Sequence, residues 1–474
     1  MRPELESIFV YLPKSLFYPL ALLFLFAGCA VGPNYREPSL SMPEQFIETK
    51  KNEEAASLKN WWQEFEDPIL DQIVSQAILG NLDLQIAIDR IRQARAVFFL
   101  ERANLFPEID LNADIQRFRV SQTIFESPFL GPPEQNFYRI GFDAGWELDF
   151  FGKLRRAKES AFYNLQAEGQ NYRDVYISVI SEAVKFYIEI RALQEIIALT
   201  EERIQIERGI LDLTDSLFAA GLDSQTQLEE VKGSLASLEA SLPDLQSQLK
   251  QNMYALSVIL GDFPEEMQDF FSKGGTLPYI AQAKSVGIPC GLLKRRPDIR
   301  NAERNLAAAT AEIGVAVADL YPSVTLTGSY AFETSKIQNW FLSASRAWNI
   351  GPLINWPLLD FGRIKSNIKA KEAFRDQAFH IYVQTILSAV ADVESALAAY
   401  QEERKKSFRL QEETKAYEKT MELNRSLFQS GLADLSVFLQ SEKTYVQAKE
   451  RWIESQKQEM INLIAVYKAA GGDW

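Results

Sequence analysis

Two stretches of this chain alternate apolar and polar positions almost without interruption. Over 109–116, Ile109, Leu111, Ala113 and Ile115 interleave with Asp110, Asn112, Asp114 and Gln116. Over 138–149, Tyr138, Ile140, Phe142, Ala144, Trp146 and Leu148 interleave with Arg139, Gly141, Asp143, Gly145, Glu147 and Asp149. A period of two predicts strands with two unlike faces. The pair returns later in the chain. Over 323–332, Val324, Leu326, Tyr330 and Phe332 face Ser323, Thr325, Thr327 and Ser329; over 348–357, Trp348, Ile350, Ile354 and Trp356 face Asn349, Gly351 and Asn355. Each run has about 9–12 residues, the length that crosses a bilayer when tilted. The links 120–137, with Pro128, Pro132 and Pro133, and 333–345 read as loops.

After each strand pair the period changes. From Gly152 to about Ala220 no proline or turn cluster occurs, and apolar residues recur three and four apart through Leu154, Ala157, Ala161, Leu165, Tyr172, Val175, Val179, Ala183, Phe186, Ile190, Leu193 and Ile197. That spacing predicts a coiled-coil seam. The same style returns from Gly362 to about Ser430. At 1.5 Å per residue each helix would be on the order of 100 Å long. Gly221 and Gly431 are placed as helix C-terminal caps, with return helices over 224–260 and 434–470. Shorter helices are expected over 68–105 and 297–320.

The two halves correspond. Phe106-Pro107 matches Tyr321-Pro322, Asp149-Phe150-Phe151-Gly152 matches Asp360-Phe361-Gly362, and Phe218-Ala219-Ala220-Gly221-Leu222 matches Phe428-Gln429-Ser430-Gly431-Leu432. The chain is therefore an internal duplication. Its organisation reads as 1–28 signal peptide, 29–67 lipid-anchored N-terminal extension, 68–260 first repeat, 261–296 equatorial linker and 297–474 second repeat.

A sheet of four strands has two open edges, and an open edge in lipid leaves backbone groups unpaired. Three copies would supply twelve strands and no edge, so a membrane reading requires a homotrimer. The expected fold is mixed α and β: a four-stranded share of a trimeric twelve-stranded membrane β-barrel, continued by a long α-helical coiled-coil barrel. On the strands alone, a soluble sheet packed on one face is the competing reading.

Composition removes other classes. Hydrophobic residues make up 47% and charged residues 24%, so the chain is not disordered. Mean hydropathy is −0.16, too polar for a bundle of spanning helices. A net charge of −14 argues against nucleic acid as a partner. Two cysteines, Cys29 and Cys290, and one histidine, His380, leave no ordinary zinc site and no evident catalytic constellation. No phosphate loop of the Gly-x-x-x-x-Gly-Lys type is present. Neither an enzyme nor a cofactor is expected, and Lys294-Arg295-Arg296 reads as a salt-bridging or capping group beside the helix opened by Pro297.

Residues Ser15 to Ala27 form an apolar run behind Lys14, with the length of a signal-peptide core. It ends in Phe26-Ala27-Gly28-Cys29, where small residues before a cysteine resemble a bacterial lipobox. Cys29 would then be the acylated first residue, anchored in outer-membrane lipid. An ordinary signal cut elsewhere is the alternative.

Several segments together resemble the TolC-like outer membrane factors, in particular their lipoprotein branch serving resistance–nodulation–division efflux systems. They are Cys29-Ala30-Val31-Gly32-Pro33-Asn34-Tyr35, Trp61-Trp62 with Asp67-Pro68, Trp146-Glu147-Leu148-Asp149, Leu292-Leu293-Lys294-Arg295-Arg296-Pro297-Asp298-Ile299, Tyr321-Pro322-Ser323 and Gly471-Gly472-Asp473-Trp474. The resemblance implies a passive outer-membrane exit duct for drugs or other small toxic compounds. Its implied partners are a periplasmic adaptor and an inner-membrane resistance–nodulation–division transporter. It also implies that the two helical turns form the closed periplasmic end, with the adaptor gripping Gly221-Leu222 and Gly431-Leu432. Many relatives carry aspartate just after these turns. This chain has Gln227 and Gln440 there, and Asp223, Asp434 and Glu442 nearby, as its aperture residues. Asp143, Glu147 and Asp149 are expected to face an acidic, cation-favouring lumen. Alternatives are a conduit for type I protein secretion or a non-porous envelope coiled coil.

Overall fold

The computed structural model describes residues 30–39, 43, 46–47, 59–119, 121, 134–271, 274–280, 291–292 and 295–472. Cys29, Cys290 and the expected signal peptide lie outside the described residues. In chain order the main elements are α1 (Pro68–Gly80), α2 (Leu82–Ala103), β1 (Glu108–Arg119), β2 (Glu134–Glu147), α3 (Lys153–Ala219), α4 (Gln225–Leu260), α5 (Glu266–Phe270), α6 (Pro297–Ala318), β3 (Ser323–Thr334), β4 (Arg346–Asn355), α7 (Arg363–Gln429) and α8 (Leu435–Ala469). Most of the chain is helical, with one small antiparallel sheet in the order β1-β2-β3-β4.

Two compact units are present, each drawing on both repeats. One comprises Arg92–Ala167, Glu303–Ile381 and the described chain up to Pro38. It contains the sheet. The register pairs Leu111 with Phe142, Phe142 with Tyr330, and Tyr330 with Trp348, so the apolar sets of all four strands share one face. That face is uncovered: Leu111 is 61%, Trp348 72% and Ile350 70% exposed. The opposite face carries Asp110, Asn112, Asp114, Arg139, Asp143, Glu147 and Glu333. Gly141 is required where β2 meets β3, since a Cβ there would lie 2.4 Å from the Ala331 Cβ.

The segment behind Cys29 is fastened within this unit. Val31 N donates to Phe151 O at 3.0 Å. The buried Arg156 guanidinium donates to Val31 O at 3.1 Å and to Asn34 Oδ1 at 2.7 Å. Gly32 lies so close to Gly314 that an added Cβ would stand 2.5 Å from the Gly314 Cα.

The other unit comprises Ser39–Ile91, Glu168–Ala302 and Tyr382–Trp474. Ile196, Leu199 and Ile206 of α3 pack with Leu439, Val446 and Ile453 of α8 in its core. Here the expected seam is too narrow. Between Ile177 and Thr200, α3 also buries Ile180, Val184, Tyr187, Ile188, Ala192 and Ile196, because other elements cover it on more than one side. The single helix expected over 68–105 is two. Its break is at Asn81, whose Oδ1 accepts from Leu84 N at 3.1 Å and so caps α2. Asn81 Nδ2 donates to Ile259 O at 2.8 Å, and a Cβ on Gly80 would lie 2.1 Å from Leu260 O.

Asp67 caps α1 through Ile69 N and Leu70 N and also accepts from the Tyr187 hydroxyl. Arg191 donates to the Tyr187 hydroxyl at 3.0 Å, with its guanidinium 5.1 Å from the Tyr187 ring and 5.3 Å from the Phe271 ring. A buried cation held this way cannot be removed without leaving polar groups unpaired. Arg191→Ala should therefore cost about 2–3 kcal/mol and lower the melting temperature, as calorimetry would show. Arg191→Lys should recover little, because an ammonium lacks the planar fork. An undisturbed melt in the alanine variant would refute the clamp.

Candidate functional site

Two helical turns, both in the second unit, hold all the expected tip residues. α3 and α7 end alike. Leu222 N donates to Leu217 O and Gly221 N to Phe218 O, each at 2.9 Å; Leu432 N to Leu427 O and Gly431 N to Phe428 O repeat both bonds at 2.9 Å. This is the Schellman pairing, which demands a left-handed residue. Both glycines have φ near +70, and nothing lies within 4 Å of a Cβ placed on either. Conformation, rather than space, selects glycine here. The pairing pushes the next side chain outward: Leu222 is 76% and Leu432 77% exposed.

The two turns differ in how the return helix begins. The Ser224 hydroxyl caps α4 by accepting from Gln227 N at 3.2 Å, and the Asp223 carboxylate accepts from Ser224 N at 2.7 Å. Asp434 occupies the cap position of α8 with no side-chain cap bond. The second turn is instead held by rings, with Phe428 and Phe438 stacked 6.0 Å apart and Arg425 5.9 Å from Phe438.

A cavity of about 700 Å³ lies beside the turns, lined by Leu213, Asp223, Gln227, Tyr417, Val437 and Gln440 among others. It brings Asp223, Gln227 and Gln440 together. Asp434, Glu442 and the exposed leucines are not among its lining residues. Above the turns α3 is tied to α8 by Arg203–Glu450 at 2.5 Å and Lys443–Glu207 at 2.9 Å, the Glu207 side chain being only 2% exposed. Lys443 also reaches the Ser234 hydroxyl of α4 at 3.4 Å. The sequence reading missed these ties, although their signal is visible: charged residues at positions where the helical period expects apolar ones.

Burial pushes the Glu442 carboxyl above its ordinary value near 4.5, the Glu202 charge adds to the shift, and Arg425 opposes it. A raised carboxyl favours the packed turn fully below pH 4.5 and ceases to do so as pH rises through the shifted value. Amide exchange in the second turn, corrected for intrinsic pH dependence, should then loosen from pH 5 to pH 8. Glu442→Gln should flatten that dependence; an unchanged profile in the variant would refute the assignment.

Among the other expected residues, Asp143 and Glu147 lie on the polar face of the sheet, but Asp149 does not belong to it. β2 ends at Glu147, and the Asp149 carboxylate caps α3, accepting from Leu154 N at 3.1 Å and Arg155 N at 2.9 Å. Asp360 does the same for α7, accepting from Gly362 N at 3.0 Å and Ile364 N at 2.8 Å. Arg296 pairs with Asp298 at 2.6 Å and Asp392 at 3.3 Å and donates to Ala469 O at 2.9 Å, the salt-bridging and capping role expected of it. His380 is exposed on α7.

The family described as outer membrane efflux protein matches residues 73–262 and 289–472. Nodulation protein T of Rhizobium leguminosarum bv. trifolii is 30% identical over 454 residues, covering 94% of this chain and 95% of that protein. The solvent efflux pump outer membrane protein SrpC of Pseudomonas putida is 27% identical over 476 residues, covering 97% and 98%. The solved structure of the outer-membrane channel OprN superposes with a TM-score of 0.84 at 30% identity, covering 94% of this chain and 99% of that one.

Proposed function

Because the chain belongs to the outer membrane efflux protein family and is an outer-membrane channel subunit of the tripartite-pump type, we propose that three copies close their sheets into one twelve-stranded barrel. The helices then continue the duct on the periplasmic side. The observation that carries this reading is the sheet itself. Four strands present one uncovered apolar face, and β1 and β4 are both left as edges. In lipid the apolar face is stabilised and the edges are not, until neighbours pair with them. The polar face, dominated by carboxylates, becomes the lumen wall.

In this reading Cys29 is the acylated first residue of the mature chain, released from a signal peptide at 1–28. The Arg156 clasp on residues 31–34 then holds the anchored end against the root of α3. The repeats at 68–260 and 297–474 each supply a strand pair, a long helix and a return helix, 29–67 is the lipid-anchored extension, and its stretch 40–66 forms the equatorial belt with 261–296. Gly221, Leu222, Gly431 and Leu432 meet the hairpin of a periplasmic adaptor, which couples the duct to an inner-membrane resistance–nodulation–division transporter. Asp223, Gln227, Asp434, Gln440 and Glu442 border the aperture. No step of chemistry is assigned: the family is a channel family, and energy comes from the pump.

Light scattering on detergent-extracted protein should give three times the chain mass of 53.9 kDa, less the signal peptide, and planar bilayers should show discrete conductance. A monomer of that mass, or a trimer without conductance, overturns the proposal.

A further inference from the structure

The apolar face of the sheet changes character at the end away from the helices. At the helix-joined end, Trp146 Nε1 donates to Leu105 O at 3.0 Å. At the hairpin end a group of rings closes the band: Trp340 lies 5.4 Å from Tyr138 and 5.7 Å from Phe341, which lies 5.7 Å from Phe332. Beside and beyond those rings the same face is charged: Arg346 is level with Phe332, and Arg117 and Arg119 lie outside the rung of Tyr138. The register pairs Arg117 with Asn136, Arg119 with Glu134, and Arg346 with Phe332, and all of these stand on apolar-face positions.

Glu134 faces both edge arginines, at 2.9 Å from Arg117 and 3.9 Å from Arg119, whose side chains remain 73% and 70% exposed. Arg346 donates to Ser343 O at 3.2 Å. Among the described residues, then, this end of the apolar face sets three guanidinium groups against one carboxylate, in a chain whose net charge is −14. β1 and β4 are the two edges of the sheet and run antiparallel. Closing the proposed ring sets the β4 edge of one copy, carrying Arg346, against the β1 edge of the next, carrying Arg117 and Arg119, with all three toward the hairpin end of the seam.

The geometry points to a phosphate-binding seam for the headgroup of a phosphorylated glycolipid in the outer leaflet, repeated three times around the barrel. The inference rests on the barrel reading. Aromatic rings sit at the boundary between acyl chains and headgroups; Arg346 is level with Phe332 at that boundary, and Arg117 and Arg119 lie beyond the rung of Tyr138, where lipid phosphates are. Guanidinium binds phosphate oxygens bidentately. Three such groups at one seam favour a phosphorylated headgroup over a neutral one. Glu134 is the opposing charge that keeps the site from binding indiscriminately.

Native mass spectrometry of the purified trimer tests this, with bisphosphorylated lipid A, dephosphorylated lipid A and phosphatidylglycerol as probes. The wild type should retain the bisphosphorylated form about tenfold better than the dephosphorylated one. The combined variant Arg117→Gln, Arg119→Gln, Arg346→Gln should lose that preference at unchanged trimer mass, and Glu134→Gln should strengthen it. Retained preference in the triple variant, weakened binding in Glu134→Gln, or phosphatidylglycerol held as tightly as lipid A would each overturn the inference. Should the triple variant not assemble, Glu134→Gln decides alone. Failure of the barrel reading is distinguishable, since it shows as a wild-type mass below three chains before any lipid is added.

Discussion

Replacing both tip leucines with glutamate, Leu222→Glu with Leu432→Glu, is expected to uncouple the channel from its pump while leaving the trimer intact. Both side chains are about three-quarters exposed, so the folded protein loses almost no packing. Both follow glycines whose left-handed backbone is unaffected by the change. An interface formed over those leucines would instead have to desolvate a carboxylate with no partner, beside Asp223 in the first turn. A buried, unpaired charge at an interface costs about 2–5 kcal/mol, or roughly thirtyfold to several-thousandfold in affinity. Susceptibility of a deletion strain to an exported compound should therefore not be restored by the double variant. Leu222→Ala with Leu432→Ala should restore it in part. Melting temperature, trimer mass and single-channel conductance should match the wild type in both. Full complementation by the glutamate variant would place adaptor docking elsewhere.

Those leucines were legible in the sequence because a Schellman turn has a fixed grammar, a glycine followed by an outward residue, and the chain writes it twice. The strands were legible for a similar reason. Their period of two has few other physical causes, and the register found puts the expected apolar residues within the strands on one face. The helix break at Asn81 was not legible, because Gly80-Asn81 can lie within a helix. It becomes a break only when the backbone of Leu260 approaches from far along the chain. Asp149 was misread because its alternation continues smoothly past the strand's end. A carboxylate two residues beyond Glu147 costs less capping the free amides of α3 than extending a ladder. The burial of α3 on more than one side between Ile177 and Thr200 is likewise a consequence of neighbours, and a seam counted on one helix cannot register it. Within the tips, the stacking of Phe428 on Phe438 depends on helices whose relative rotation no local pattern fixes.

The sharpest contrast available to mutagenesis is between two positions that are close in the ladder and on opposite faces. Phe142 lies within β2 and opposes Leu111 and Tyr330 on the apolar face; Asn112, next to Leu111, opposes Gly141 on the polar face. Phe142→Arg is expected to abolish accumulation in the outer membrane. Arginine on the lipid face costs about 2–4 kcal/mol near the midplane, and a trimer incurs that cost in every copy. Asn112→Arg should assemble normally, because its side chain enters the aqueous side beside Asp143, whose carboxylate already accepts from Asn112 at 2.8 Å and Arg139 at 2.6 Å. It should also move the reversal potential of single channels toward anions, since a ring of three added cations offsets a wall of carboxylates. The pair separates two explanations that a single variant cannot. If the sheet were a soluble one with its apolar face packed against protein, both arginines would be judged by packing alone, and neither would alter ion preference. Normal membrane accumulation of Phe142→Arg, or an unshifted reversal potential in an assembled Asn112→Arg channel, would remove the physical basis for a lumen on one face and lipid on the other.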